Sequence, residues 1–277
     1  VARVPAWVDQ AAIVDGIRGR QGQALAYRLI ARQVRISDTG ESHYTRLVTQ
    51  PLSEAGLRDA AEIEVAFNPA FETLTFHTLS LSRNGETFDR LDPAGIRLIQ
   101  REQGFENSLY DGIVTAVIIV NDVRLADQVD LSYTVSGHNP VFGNRHFSAF
   151  ALGWEVPVDY ARVRVSAPSS RKLYTRTFNH NTEPEISKAD GRTDYRWSVR
   201  NTTPVISEKD APTWHQPFPG VQITEYRRWR DVTGWASALY DHDNSLPDDL
   251  EAQVERWKRE EPDSKKRAAR ALKLVQD

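Results

Sequence analysis

The stretch TLTFHTLSLSRNGETFDRL, from Thr73 to Leu91, decides the fold. Thr73 to Ser82 reads as a strand, with β-favouring residues and a two-residue alternation of apolar side chains. Asn84 and Gly85 follow, the pair that best tolerates positive φ at both centres of a two-residue hairpin turn. Thr87 to Leu91 reads as the returning strand. A tight hairpin of this kind joins antiparallel neighbours, and the rest of the chain is read outward from it.

On its N-terminal side, Ala24 to Ile36 reads as a strand ending in the turn cluster Asp38-Thr39-Gly40, with a second strand from His43 to Val48. Ser53 to Ala60 reads as a short helix, because the Ser53 hydroxyl can accept from the unpaired amides of a first turn. Glu62 to Phe67 returns to a strand pattern. On the C-terminal side, strands are expected at Ile113 to Val120, Gln128 to Ser136, His146 to Val156, Ala161 to Ala167, Leu173 to Phe178, Asp194 to Val199 and Val221 to Tyr226. Asp111-Gly112, His138-Asn139-Pro140, Asp190-Gly191 and the stretch with Pro212, Pro217 and Pro219 punctuate them. Ile113 to Val120 lacks alternation, which fits a strand buried on both faces or a buried helical segment.

Many short strands without long helices between them favour an antiparallel sandwich over a parallel βαβ sheet. From Asp231 the period changes. Val232, Trp235 and Leu239 share one helical face, followed by Leu246, Leu250, Val254 and Trp257, and then by Ala268, Leu272 and Val275. Ser245 with Asp248 resembles a capping box, and Glu260-Glu261-Pro262 marks a break. The fold expected is therefore mainly β: a large antiparallel β-sandwich over residues 1–228, then a small α-helical C-terminal segment over 229–277. The last helical pattern has no stop signal, which suggests a chain cut inside a larger architecture.

The 277 residues carry 35 Lys and Arg against 38 Asp and Glu, for a formal charge of −3, and the pI is near 6.2. That balance argues against a nucleic-acid partner, which calls for a basic face. The apolar run Ile113 to Val120 falls far short of the roughly 20 residues of a membrane span. The chain contains neither cysteine nor methionine. Without a thiol it has no disulfide, no Cys-ligated metal and no cysteine nucleophile. It starts at Val1, so a cleaved export signal would be invisible.

Motifs for chemistry are sparse. The Gly-x-Ser-x-Gly turn of serine hydrolases is absent. Asp241-His242-Asp243-Asn244 offers metal-like ligands but lacks the glycine and the final carboxylate of a calcium loop, so a polar loop is the expected reading. Glu102, Glu106, Glu183, Glu185 and Asp210 are carboxylates with no pairing that spacing can reveal. Asn201-Thr202-Thr203 is a glycosylation sequon that matters only in a eukaryotic secretory setting. Arg227-Arg228-Trp229-Arg230 reads as a solvated strand end. One aromatic cluster stands out, Trp214, His215, Phe218, Tyr226 and Trp229 among three prolines. Trp214, His215, Tyr226 and Trp229 are the candidate binding residues for a glycan or an extended peptide, against the plainer reading of a connector whose aromatics seal the β domain. No catalytic residue, metal ligand or cofactor is assigned.

The order Asn84-Gly85, Ser108-Leu109-Tyr110-Asp111-Gly112, Ser132-Tyr133-Thr134-Val135, Asn139-Pro140-Val141-Phe142-Gly143 and Pro157-Val158 resembles a bacterial family, from about Ala24 to Tyr240. It is the β domain of unknown function that precedes transglutaminase-like domains. The resemblance implies a following papain-like core with a Cys-His-Asp triad, to whose first helix Lys265 to Asp277 would belong. It also implies a periplasmic or otherwise exported protein after signal removal. None of the triad can be carried onto this chain, which lacks the cysteine. The expected role is a non-catalytic accessory domain packed against the transglutaminase-like core in cis.

Overall fold

A computed structural model describes residues 1–14, 22–100, 112–207, 210, 212, 215–240 and 246–276. In chain order the strands and helices are β1 (Leu25–Ile36), β2 (Glu41–Pro51), α1 (Glu54–Ala61), β3 (Glu62–Phe67), β4 (Glu72–Arg83), β5 (Glu86–Asp89), β6 (Arg97–Gln100), β7 (Val114–Ile119), β8 (Gln128–Gly137), β9 (Phe147–Ala151), β10 (Tyr160–Pro168), β11 (Tyr174–Phe178), β12 (Glu185–Ala189), β13 (Arg192–Arg200) and β14 (Gly220–Thr224), then α2 (Trp229–Leu239), α3 (Asp248–Glu260) and α4 (Ser264–Gln276). The chain divides into two units, Val1–Arg227 and Arg228–Asp277.

The first unit is mainly β and rich in antiparallel pairs, as its turn chemistry requires. Asn84 and Gly85 take φ of 51° and 85° and join β4 to β5, with Arg83 opposite Glu86. The large sheet has eight strands in the order β12-β13-β10-β1-β2-β8-β4-β5. One pair departs from the antiparallel expectation: β1 and β10 run parallel, with Ile30 beside Ala161 and Val34 beside Val165. A parallel pair needs a long connection, and here that connection contains most of the other strands.

The second layer is split. One small sheet, β3-β7-β6, and another, β11-β14-β9, lie apart in the hydrogen-bonding pattern. Each closes its own core against the same face of the large sheet. The first core gathers Ile63 and Val65 of β3, Ala116 and Ile118 of β7, and Phe76, Leu79, Leu81, Val129 and Leu131 of the large sheet. The second gathers Phe150 of β9, Val221 and Ile223 of β14, and Val34, Val163, Val165 and Trp197 of the large sheet. In β7, Thr115, Ala116, Val117 and Ile118 are all buried, so the run without alternation is a strand.

Residues 1–14 cross the opposite face of the large sheet as a strap. The Gln33 side chain accepts from the Asp9 N–H at 3.0 Å and donates to the Asp9 carbonyl at 2.6 Å. Arg164 donates to the Trp7 carbonyl and Arg46 to the Ala11 carbonyl. Ala11 packs with Leu29, Ala31 and Val48 in a small third core. Backbone groups without a ladder are thereby paired with side chains, as buried amides require.

Helix α1 begins as expected, with the Ser53 hydroxyl accepting from the Gly56 N–H. Gly56 is there because of a close approach: a Cβ on it would stand 1.8 Å from the Ala24 carbonyl oxygen. The strand expected over His146 to Val156 stops at Ala151. Beyond it, Gly153 packs so tightly on Pro219 that a Cβ would meet the ring at 2.7 Å, and the backbone leaves the sheet. β6 and β12, neither expected, are strands whose residues are all exposed, so no alternation marks them in the sequence.

The second unit consists of α2, α3 and α4, and none of its described residues is buried. The start expected from Ser245 is corrected: Pro247 holds the N-cap position of α3, where its fixed φ suits the entry to a helix, and Ser245 lies outside the described residues. α3 ends at Glu260 as expected, and Arg267 donates to the Glu261 and Pro262 carbonyls at 2.8 Å, fixing the corner into α4.

Candidate functional site

The split second layer leaves the centre of the large sheet uncovered and forms a cleft of about 440 Å³. Its floor is β1, β2 and β8. Helix α1 and the start of β3 form one wall with Asp59 and Glu62, and the segment after β9 forms the other with Trp154 and Val156. The apolar residues that prolonged the β9 pattern in sequence therefore line a cleft.

Strand register decides what the floor presents. Arg32 is opposite Thr45, and Thr45 is opposite Tyr133, so a guanidinium, a hydroxyl and a phenol stand in one row across the strands. Two residues along, Ile30, Leu47 and Leu131 make a parallel apolar row. Strands about 4.8 Å apart place each row across roughly 10 Å. Arg32 is exposed on a strand well inside the sheet, and no ion pair to it is formed among the described residues. The arginines of the opposite face behave differently: Arg46 holds Asp130, Arg162 holds Asp9, and Arg164 and Arg196 share Asp194.

A second polar cluster sits where the β1–β2 hairpin meets β9. His146 is fully buried, with Nδ1 2.6 Å from Glu41 Oε2 and Nε2 2.9 Å from Ser148 Oγ. The other Glu41 oxygen meets His43 Nε2 at 2.9 Å. Burial opposes ionisation of Glu41, but hydrogen bonds from His146 and His43 outweigh it and lower its pKa to about 2. The His146 N–H donates to Glu225 at 2.8 Å, and Glu225 pairs in turn with Arg171. Burial again works against the Glu225 carboxylate, and the Arg171 and His146 hydrogen bonds hold its pKa below the ordinary value.

Glu41, His146 and Ser148 follow the contact order of an acid, a base and a hydroxyl. A nucleophile also needs space for substrate beside it. The surface hollow at this end is lined by Arg171, Tyr174 and Glu225, not by Ser148, and Ser148 pairs across the strands with fully buried Ile223. The cluster serves to join β1–β2 to β9. Sequence spacing could not show it, because Glu41 and His146 are 105 positions apart.

Of the four candidate binding residues, Trp214 lies outside the described residues. His215 is exposed, and its N–H donates to the Pro212 carbonyl at 2.8 Å. Tyr226 is half-buried, with the Arg145 guanidinium 5.2 Å from its ring centre. Trp229 opens α2 in the other unit and is 83% exposed. Glu102, Glu106 and Asp241 to Asn244 also lie outside the described residues. Glu183, Glu185 and Asp210 are exposed. Among the described residues no group of three or more His, Asp or Glu is placed to hold a metal ion, and no helix is long and apolar enough to cross a membrane.

The family described as a domain of unknown function with a solved structure, DUF3857, matches residues 37–206, more than half of the chain. No curated protein matches. Among solved structures, a "putative protease" from Parabacteroides distasonis ATCC 8503 is similar at a TM-score of 0.65 and 15% identity, over 74% of this chain and 41% of that one. At that identity the likeness shows the fold alone, and this chain spans less than half of the other's length. An M1 zinc metallopeptidase from Deinococcus radiodurans matches at a TM-score of 0.38 and 13% identity, over 73% of this chain and 42% of that one; so low a score carries no argument.

Proposed function

The chain belongs to the DUF3857 family, and on that premise we propose that it is a non-catalytic accessory domain of an exported transglutaminase-like protein, packed in cis beside the catalytic core and shaping access of substrate or partner. The observation that carries this reading is the helical unit. α4 leaves Leu272, Leu274 and Val275 exposed at 58%, 49% and 84%, and α3 exposes Leu250. Amphipathic helices of 13 residues owe most of their stability in proteins to burial of an apolar face. These faces are suited to a further protein layer, and the resemblance to domains that precede transglutaminase-like cores names that layer. A core of that kind supplies the thiol that this cysteine-free chain lacks.

Hydrogen exchange of residues 229–276, compared between this chain and the full product of its gene, tests the reading. Protection of α3 and α4 that rises in the full product supports it. Unchanged exchange, or a gene product with no core-sized segment carrying Cys, His and Asp, overturns it.

A second reading, a peptide- or glycan-binding module, draws its support from the cleft over β1, β2 and β8. Calorimetric titration with cell-wall glycans and with peptides separates the two ligand classes.

A further inference from the structure

Arg32 is the unusual residue of the inner face. It stands between two apolar cores, at the bottom of a cleft, with no carboxylate partner formed among the described residues. A guanidinium presents five donors in a planar fork that matches a carboxylate bidentately. Thr45 and Tyr133 stand beside it in the same cross-strand row and add two hydroxyls. The next row, Ile30 and Leu47 with Leu131, is apolar, and Trp154 also lines the cleft.

We propose that this cleft captures the free C-terminal carboxylate of a peptide that ends in an apolar residue. The carboxylate lies on Arg32, with Thr45 and Tyr133 as hydrogen-bonding neighbours. The last side chain covers the Ile30–Leu47 row, about 7 Å further along the strands. The volume of about 440 Å³ falls within the ~300–1,000 Å³ of small-ligand sites and suits the end of a peptide. Asp59, Glu62 and Glu64 on the wall of α1 and β3 bear on the choice of occupant. They suit a ligand that brings an ammonium and N–H groups together with its one carboxylate, as a short peptide does, and they disfavour a polyanion or a fatty acid, which brings negative charge with no cation. This inference concerns the β unit and stands whether or not the helical unit packs on a core.

The test is calorimetric titration of the whole chain with three probes: the tripeptide Gly-Leu-Leu as the free acid, the same peptide as the C-terminal amide, and decanoate. The expected result is binding of the free acid, weakened roughly tenfold or more in the amide and by the same order in Arg32→Gln. Tyr133→Phe weakens it less. Arg32 makes no ion pair among the described residues, so R32Q should keep the wild-type melting curve, and the acid–amide comparison stands without any variant. Equal affinity for acid and amide, no binding of the acid at millimolar concentration, unchanged binding in R32Q, or tighter binding of decanoate than of the peptide would each overturn the proposal.

Discussion

Glu41 Oε2 lies 2.6 Å from Nδ1 of the fully buried His146, a contact that ties the β1–β2 hairpin to the residue that leads into β9. The low Glu41 pKa makes this tie a source of pH-dependent stability. With the folded value near 2 against an ordinary value of 4.5, the contribution is fully present above about pH 4.5. It is lost as the pH falls through about 2, because the unfolded chain then binds the proton more readily than the folded one. A shift of this size corresponds to at most about 3 kcal/mol. Glu41→Gln should therefore unfold at lower urea than wild type at pH 7, with the two curves converging towards pH 2. Parallel curves at every pH would contradict it.

Gln33→Ala leaves both backbone groups of Asp9 without their buried partner. A loss of about 2 kcal/mol is expected, together with faster hydrogen exchange and earlier proteolysis within residues 1–14. If the strap keeps its protection, Gln33 does not hold it.

Gly56→Ala sets two effects against each other. Alanine raises helix propensity by about 1 kcal/mol, but its Cβ would overlap the Ala24 carbonyl, backbone that cannot swing away. The clash should win and lower the melting temperature by several degrees, because overpacking costs typically about 1–3 kcal/mol. A stabilised variant would show that α1 slides freely on β1, and so that the acidic wall of the cleft is not fixed in place.

Arg171→Met removes the partner of Glu225 while Glu225 stays largely enclosed. Arg171 also donates to the Ser37 and Asn144 carbonyls at 2.8 and 2.6 Å. Breaking such a pair costs about 3–5 kcal/mol, measurable by chemical denaturation. Arg171→Met with Glu225→Gln should recover part of the loss, since no unpaired charge then remains.

Ser148 contacts His146 as a serine nucleophile would, yet the hollow at that end is lined by Arg171, Tyr174 and Glu225 and not by Ser148. The whole chain should remain unlabelled by a fluorophosphonate probe, and Ser148→Ala should change stability only. Labelling abolished by Ser148→Ala would make this cluster an active site.

The elements legible in the sequence share a feature: their signal is local. Asn84-Gly85 declares its turn in two residues, β3 alternates buried and exposed within six, and Ser53 caps α1 from three residues away. Where the signal failed, burial had no period to impose. All residues of β6 and β12 are exposed, so neither alternates. Trp154 and Val156 looked like strand because apolar residues that line a cleft obey the same composition as apolar residues in a core. The aromatic cluster drew attention by density alone, and of its described members Tyr226 packs with Arg145 while Trp229 opens a helix in the other unit.

From the sequence by itself came the mainly β character, the change to helices after Arg228, the capped helix before β3 and the absence of any thiol. Each follows from composition, or from the conformational preferences of residues within about one turn or one strand of each other. Tertiary structure alone decided that β1 runs parallel to β10, that the second layer is split, and that Arg32, Thr45 and Tyr133 form one row on the floor of the resulting cleft. Pairing between distant strands is chosen by which faces can be buried together. A slip of one residue would turn the whole row to the other side of the sheet, so register, which no local pattern encodes, is what places an arginine in a cleft and not beside an aspartate.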